Sequence, residues 1–160
     1  METLTTISAL IGAAICMGMG AIGAAAGCGY TAYKAAEATT RQPQAKDEIL
    51  RTMLIGMAVA ESPGIFALFI AIILAMTPAS EISLIHLCGL FSAGVCMGLG
   101  ALGPGLGAGY AAGKGCEGVG RQPGNSTLLM RTMLIGQAVS QSTSIYALFV
   151  AMLLIYVVGG

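Results

Sequence analysis

Residues 41–61 read RQPQAKDEILRTMLIGMAVAE, and the same frame recurs eighty positions later, at 121–141, as RQPGNSTLLMRTMLIGQAVSQ. The segments RQP and RTMLIG are identical in both copies, and no gap is needed to align them. The match continues toward the N-terminal side of each copy, at Gly18 with Gly98, Gly27 with Gly107, Tyr30 with Tyr110, Lys34 with Lys114 and Glu37 with Glu117. This self-similarity predicts a duplicated unit, with halves at 1–80 and 81–160.

The composition indicates a membrane protein. Of the 160 residues, 56% are hydrophobic and only 9% are charged, with a mean hydropathy of +0.86, whereas soluble domains carry about 25% charged residues. Four apolar runs, near 3–33, 52–80, 83–113 and 132–158, each exceed the roughly 20 residues that span a bilayer as a helix. We therefore predict an all-α fold of four transmembrane helices, arranged as two tandem hairpins without a soluble domain.

The basic residues predict the orientation of these hairpins. All seven flank the two connections 39–50 and 119–130, and none lies in the connection 77–86 or at the termini. Because positive charge is retained on the cytoplasmic side, both basic loops are expected in the cytoplasm and both termini outside. The basic positions are Lys34, Arg41, Lys46, Arg51, Lys114, Arg121 and Arg131.

The two helices of each half differ in bulk. The first contains GMGAIGAAAGCG at 18–29 or GLGALGPGLGAG at 98–109, and the second contains IFALFIAIILAM at 65–76 or IYALFVAMLLIYVV at 145–158. Small residues at helical spacing allow helix backbones to approach closely in lipid. We expect the first and third helices to form the inner layer of a ring of many copies, with the second and fourth outside.

Glu61 is the only charged residue between Arg51 and Glu81. It lies about 15 Å along a helix from Arg51, near the middle of a bilayer. A charge there costs at least about 2.5 kcal/mol, and acids at this depth usually mark an ion path. Surrounding lipid favours its neutral or cation-bound form. A purely structural acid, held by a neighbouring hydroxyl, is the alternative.

The glycine-rich helix, the RQP loop and the acid of the following helix together resemble the rotor proteolipid (the c-type subunit) of F-type rotary ATP synthases. The resemblance runs over 23–74 and equally over 103–154, and duplication with loss of one acid resembles the V-type proteolipid, often called K. It implies a rotor-ring subunit that translocates Na⁺ or H⁺ by reversible binding at Glu61, coupled to ATP synthesis or hydrolysis. The chain itself would not be an enzyme, because nucleotide chemistry would belong to partner subunits.

The resemblance also implies where ions bind. In that family each site lies between adjacent outer helices, and the neighbour supplies a backbone carbonyl, two hydroxyls and often a tyrosine. Carried over, the groups facing Glu61 are Val139, Ser142, Thr143 and Tyr146, with Cys28 where sodium-binding members carry an inner-helix glutamine. The opposite interface places Gln141 against Val59, Ser62, Pro63 and Phe66. It has lost the acid, one hydroxyl and the phenol, and is interpreted as an inactive counterpart.

An amide at 141 has a physical explanation. Pro63 has no N–H, so the carbonyl of Val59 lacks its helical donor. An amide resembles a protonated carboxyl in shape and can donate a hydrogen bond as one does. We therefore predict that the Gln141 amide donates to Val59.

The identity of the ion is left open by the residues. Sodium, if bound, would be coordinated by Glu61, Ser142 and the carbonyl of Val139, but the thiol of Cys28 is a poor ligand for a hard cation. A proton on Glu61 is equally compatible with the hydroxyl groups. Neither case requires a resident cofactor.

The resemblance implies further partners. They are a bacterial cell membrane, other copies of the chain (with single-hairpin proteolipids as an option), a stator subunit that contains an arginine, and a central stalk. The stalk would be gripped by Arg41, Gln42, Pro43, Arg121, Gln122 and Pro123. A small multispan channel or cation-coupled exporter that uses Glu61 is the alternative function, and a structural oligomer is a third.

Overall fold

The computed structural model describes residues 2–77 and 84–158, which are almost entirely helical and contain no β-strand in those ranges. The predicted outer connection and the boundary between residues 80 and 81 lie outside the described residues. The helices are α1 (Glu2–Arg41), α2 (Lys46–Ala60), α3 (Ser62–Met76), α4 (Leu84–Arg121) and α5 (Ser126–Leu153), and α5 ends in a π-helical turn (Leu154–Val158). The all-α fold predicted from the sequence is confirmed.

Both hairpins turn with the same backbone geometry. After α1 and α4, Gln42 and Gln122 adopt φ of −137° in each case, with ψ of 76° and 74°, and a short 3₁₀ turn follows that starts at Pro43 or Pro123. Proline fixes φ and lacks an N–H, so it cannot continue the preceding helix but is well suited to begin the next one. The RQP sequence therefore produces the same reversal in each half.

The outer segments of the two halves differ in continuity. In the first half α2 ends at Ala60 and α3 begins at Ser62, so Glu61 sits at a break between two helices. The second half has one uninterrupted helix over the corresponding residues. Pro63, which removes one helical hydrogen bond, accounts for the break, and Thr143 at the matching position does not remove one.

The two glycine-rich helices form the centre of the packing. α1 and α4 have the most extensive contact of any pair, α2 and α3 contact both of them, and α5 packs on α4. The central pair approaches so closely that a Cβ atom added at Gly109 would lie 2.2 Å from the Cα of Gly27. This agrees with the predicted division into inner and outer helices.

Within the described residues, four helical segments are long and apolar enough to cross a bilayer: Leu4–Arg41, Pro43–Met76, Leu84–Arg121 and Pro123–Val157. Large apolar side chains such as Leu54, Phe69 and Phe149 are exposed along the outer helices. Exposed apolar surface on this scale is suited to lipid rather than water.

Candidate ion-binding site

Glu61 lies on an exposed edge of the outer layer, at the break between α2 and α3. Its Oε1 atom is 3.9 Å from the thiol sulfur of Cys28, which is also 3.8 Å from the carbonyl oxygen of Met57. The structure thus brings together the acid and the inner-helix residue that the sequence assigned to it. Both belong to the first hairpin.

Gln141 faces the first hairpin from α5. Its Nε2 atom donates a hydrogen bond of 2.7 Å to the carbonyl oxygen of Val59. That carbonyl is the one that Pro63, itself buried in the interface, leaves without a helical donor. The predicted hydrogen bond is therefore confirmed, and it joins the two hairpins.

Gln137 is a second amide in the same interface, fully buried, and the sequence reasoning missed it. The side chain has no exposed area, and its Nε2 donates to the carbonyls of Gly56 and Ala108, each at 2.9 Å. Its counterpart eighty residues earlier is Met57. The replacement of an apolar residue by an amide in the aligned copies was the available signal.

Among the described residues, no hydrogen bond joins Glu61 to the four groups assigned to the opposite side of the expected ion site. Successive helical residues are separated by about 100°, so Val139 and Thr143, each two positions from Gln141, point roughly away from the first hairpin. The side chains of Val139 and Tyr146 are 69% and 64% exposed.

Two hydroxyl groups on this free side already have intrahelical partners. The hydroxyl of Ser142 donates to the carbonyl of Val139 at 2.8 Å, and that of Thr143 donates to the carbonyl of Ser140 at 3.1 Å. Each hydroxyl keeps lone pairs free to act as a ligand or acceptor. One chain therefore presents the acid on one edge and the oxygen-bearing groups on the other.

The loop ends of the inner helices carry matched ion pairs. Glu37 is bonded by Lys34 at 2.8 Å and by Arg41, and Glu117 is bonded by Lys114 at 2.9 Å and by Arg121. The arginines of both RQP segments are thus held by their own helices, while their side chains stay exposed. The glutamine and proline that follow each arginine lie at the turn itself.

Comparison with known families agrees with this architecture. The family model for the C-type subunit of ATP synthase matches this chain twice, at residues 11–74 and at residues 91–154. The chain belongs to this ATP synthase rotor-proteolipid family. The two matches fall on the two hairpins and together cover most of the sequence.

Similar proteins include the ATP synthase c-type subunit of Alkaliphilus oremlandii, which is 53% identical over 64 residues, covering 40% of this chain and 72% of the relative. The corresponding ATP synthase protein of Natranaerobius thermophilus is 47% identical over 74 residues, covering 46% of this chain and 85% of the relative. Each alignment thus covers most of a relative but less than half of this chain. The bacterial relatives and the four apolar helices support a multi-pass protein of a bacterial membrane.

Proposed function

We propose that this chain is the rotor-ring subunit of a rotary ATPase and carries Na⁺ or H⁺ across the membrane on Glu61. The ion would bind where Glu61 of one copy meets Val139, Ser142, Thr143 and Tyr146 of the next. ATP synthesis or hydrolysis would take place in partner subunits and be coupled to the ions by rotation of the ring.

The observation that carries this proposal is the hydrogen bond from Gln141 to the Val59 carbonyl. By the eighty-residue repeat, Gln141 corresponds to Glu61, and Val59 corresponds to Val139. The interface within one chain therefore serves as a template for the interface between chains. Repeating it brings the Glu61 carboxyl of one copy to the Val139 carbonyl of the next, where the protonated carboxyl can donate a hydrogen bond or the two oxygens can share a bound cation.

The inner layer supports a ring by the same comparison. Three glycines at the free edges of α1 and α4 have no atom within 4 Å of the position a Cβ would take, and their counterparts in the repeat lie in close contact between α1 and α4. A surface that matches a buried interface after the repeat is a surface for another copy. The pairs are Gly18 with Gly98, Gly29 with Gly109 and Gly103 with Gly23.

The transport cycle follows from the chemistry of Glu61. A charged carboxylate is costly in lipid, so the group crosses the lipid-facing arc with its charge neutralised by a proton or a sodium ion. A stator arginine then displaces the ion as the site passes an aqueous half-channel. One elementary charge crossing 100 mV exchanges about 2.3 kcal/mol, and the exposed RQP turns pass this work to the central stalk.

One acid per four helices lowers the number of ions that the ring carries per turn. A ring built only of this chain carries one ion site per two hairpins, half the number in a ring of single hairpins that each carry an acid. Fewer ions per ATP makes pumping against a steep gradient easier and synthesis harder. We therefore expect the assembly to favour ATP-driven pumping. Net ATP synthesis at modest gradients by an enzyme whose ring contains only this chain would contradict this expectation.

Carbodiimide labelling of the purified assembly tests the proposal. Carbodiimides modify protonated carboxyl groups, so Glu61 should be the modified residue within the membrane, identified by mass spectrometry. Slower modification in the presence of sodium supports a sodium site. Slowing only as the pH rises, whether or not sodium is present, supports a proton site.

Glu61→Gln is the matched control, because the chain already carries glutamine at the corresponding position 141. It should assemble normally and lose both modification and ion transport. Failure of carbodiimide to react at Glu61 would overturn the proposal. Ion transport by a chain that stays unassembled would favour a channel or exporter instead.

A further inference from the structure

We propose that neighbouring chains meet along an inner interface that is wider than the α1–α4 interface within a chain. The inference rests on the proposed ring, because it concerns the contact between α1 of one copy and α4 of the next. It concerns the same interface that holds Glu61.

The pairing inside the chain defines which residues meet between chains. Gly12 lies against Gly94, and Gly27 lies against Gly109, so the α4 residues that face α1 contact the α1 residue 82 positions before them. The pairs between chains follow from the eighty-residue repeat, in which an α1 residue is replaced by the α4 residue 80 positions later and an α4 residue by the α1 residue 80 positions earlier. Ser92 and Gly103 of one copy then meet Ala14 and Ala25 of the next.

Four glycines that α4 presents to α1 are replaced by larger residues in this second interface. In the shifted pairing their places are taken by α1 residues that are all exposed in the single chain. The last two replacements, nearest the loops, are the largest. The pairs are Gly94 replaced by Ala14, Gly105 by Ala25, Gly113 by Tyr33 and Gly120 by Thr40.

The replaced glycines are at positions where no side chain fits at the separation seen within the chain. A Cβ at Gly94 would lie 2.2 Å from the carbonyl oxygen of Gly12, and one at Gly105 would lie 2.8 Å from the carbonyl carbon of Gly23. Both atoms belong to the backbone, which cannot rotate aside. Ala14 and Ala25 carry a Cβ at these places, so the helices between chains must stand further apart, by about 1 Å at the Ala14 level and by roughly half an ångström at the Ala25 level.

At the loop end the nearest neighbours are side chains. A Cβ at Gly113 would lie 2.6 Å from the ring of Tyr30, which can rotate aside. At the next level Thr40 takes the place of Gly120 and Gly118 takes the place of Ala38, so the methyl group that lies 2.8 Å from a Cβ at Gly120 is absent between chains. The steric requirement therefore rests on the Ala14 and Ala25 levels, where the opposing atoms are backbone.

The outer layer gives independent support. Within the chain, Gln137 links α5 to the first hairpin and to α4 through the carbonyls of Gly56 and Ala108. Between chains its place is taken by Met57, whose side chain has no hydrogen-bond donor. The contact between chains thus lacks the buried amide link.

Two consequences follow for the ring. The hairpins are grouped in pairs, with a narrow interface inside each chain and a wider one between chains. Glu61 lies at the wider one, where two copies can separate slightly without breaking the hydrogen bonds of Gln137 and Gln141.

The experiment is a cryo-EM structure of the purified assembly, in which the separation of α1 and α4 is measured at matched levels in both interfaces. The expected result is a separation larger by about 1 Å at the Ala14–Ser92 level than at the Gly12–Gly94 level. Equal separations in a closed ring overturn this inference and leave the proposed function intact. Absence of a ring overturns the proposed function and this inference with it.

A variant tests the steric cause. The triple variant Ala14→Gly, Ala25→Gly and Ser92→Gly removes side chains from the interface between chains, at the end away from the loops. It places glycine at the positions that correspond to Gly94, Gly105 and Gly12 in the interface within the chain. The two interfaces should then have similar separations at that end. An unchanged separation at the Ala25–Gly103 level would contradict the steric argument.

Discussion

Glu61 and Gln141 occupy the same position in two copies of one hairpin, and only the first can change its charge. Gln141 is partly buried, and its amide donates to the Val59 carbonyl at 2.7 Å. An amide has the shape and donor capacity of a protonated carboxyl but cannot release a proton. The interface inside the chain therefore keeps the neutral form of the site permanently.

Thr143→Val tests the proposed oxygen ligands of a sodium site. Valine has the shape of threonine without the hydroxyl, so a sodium ion or its water would lose a ligand while α5 keeps its packing. We expect the sodium concentration that protects Glu61 from carbodiimide to rise at least tenfold, which corresponds to about 1.4 kcal/mol. The measurement is the labelling rate against sodium concentration at fixed pH.

Thr127→Val, in the loop-side turn of α5, is the control for this change and should leave protection by sodium unaltered. If wild-type labelling depends on pH but not on sodium, the site binds protons. In that case the variant should instead alter the pH dependence of labelling.

Gln137→Met gives the second half the residue that the first half has at the corresponding position, Met57. It removes both hydrogen bonds to the carbonyls of Gly56 and Ala108 and keeps a side chain of similar length. We expect the free energy of unfolding in detergent to fall by about 1–2 kcal/mol. The rate of Glu61 labelling should stay unchanged, because Gln137 lies in the other interface.

Met57→Leu is the matched variant at the corresponding position, and it should have a much smaller effect on unfolding. If both variants lowered the free energy of unfolding equally, the Gln137 side chain would contribute packing only.

At the level of the helices, the break in the first outer segment and the amide at 141 depend on each other. Pro63 removes the N–H that would bond to the Val59 carbonyl, and Gln141 supplies a donor from another helix. Neither substitution would be as favourable alone, since a buried carbonyl without a donor costs about 1–3 kcal/mol.

A double-mutant cycle with Pro63→Ala and Gln141→Leu tests this dependence. In the wild-type background Gln141→Leu leaves the Val59 carbonyl without a donor, so the free energy of unfolding should fall. With alanine at 63 the backbone N–H can bond to the same carbonyl, so the loss should be smaller by about 1 kcal/mol. Additive effects in thermal or denaturant unfolding would mean that the two residues act separately.

At the scale of the whole molecule, the number of ion sites depends on more than the number of acids. The interface that contains Gln141 offers Pro63 and Phe66 where the other offers Thr143 and Tyr146. It therefore lacks a hydroxyl and a phenol that could hold an ion. An acid at 141 would face a proline and a phenylalanine instead.

Gln141→Glu should therefore not double the ions carried per turn. We expect carbodiimide to modify the new acid without protection by sodium, and the assembly to be less stable, because a carboxylate there lacks ligands. Counting modified carboxyls by mass spectrometry, together with ion transport per ATP hydrolysed, measures this. Twice the ions per ATP would contradict the inactive assignment of the second interface.

Much of the architecture could be predicted from linear patterns. The length of the apolar runs, the eighty-residue repeat and the isolation of Glu61 are properties of the chain read in order, and the four helices agree with them. The bond between Gln141 and Val59 was also predictable, because proline removes a donor at a known distance along a helix. The ion site between copies remains a prediction.

The sequence by itself determined the helical hairpins, their duplication and the difference between Glu61 and Gln141, because the length of an apolar run and the register of a repeat can be read along the chain. Only the tertiary structure decided that Gln137 bridges two helices and that α1 and α4 meet with a shift of 82 residues. The reason is that a glycine-rich helix presents similar small residues on several sides. Which side meets its neighbour depends on how closely two backbones can pack, and that is settled only when both helices are in place.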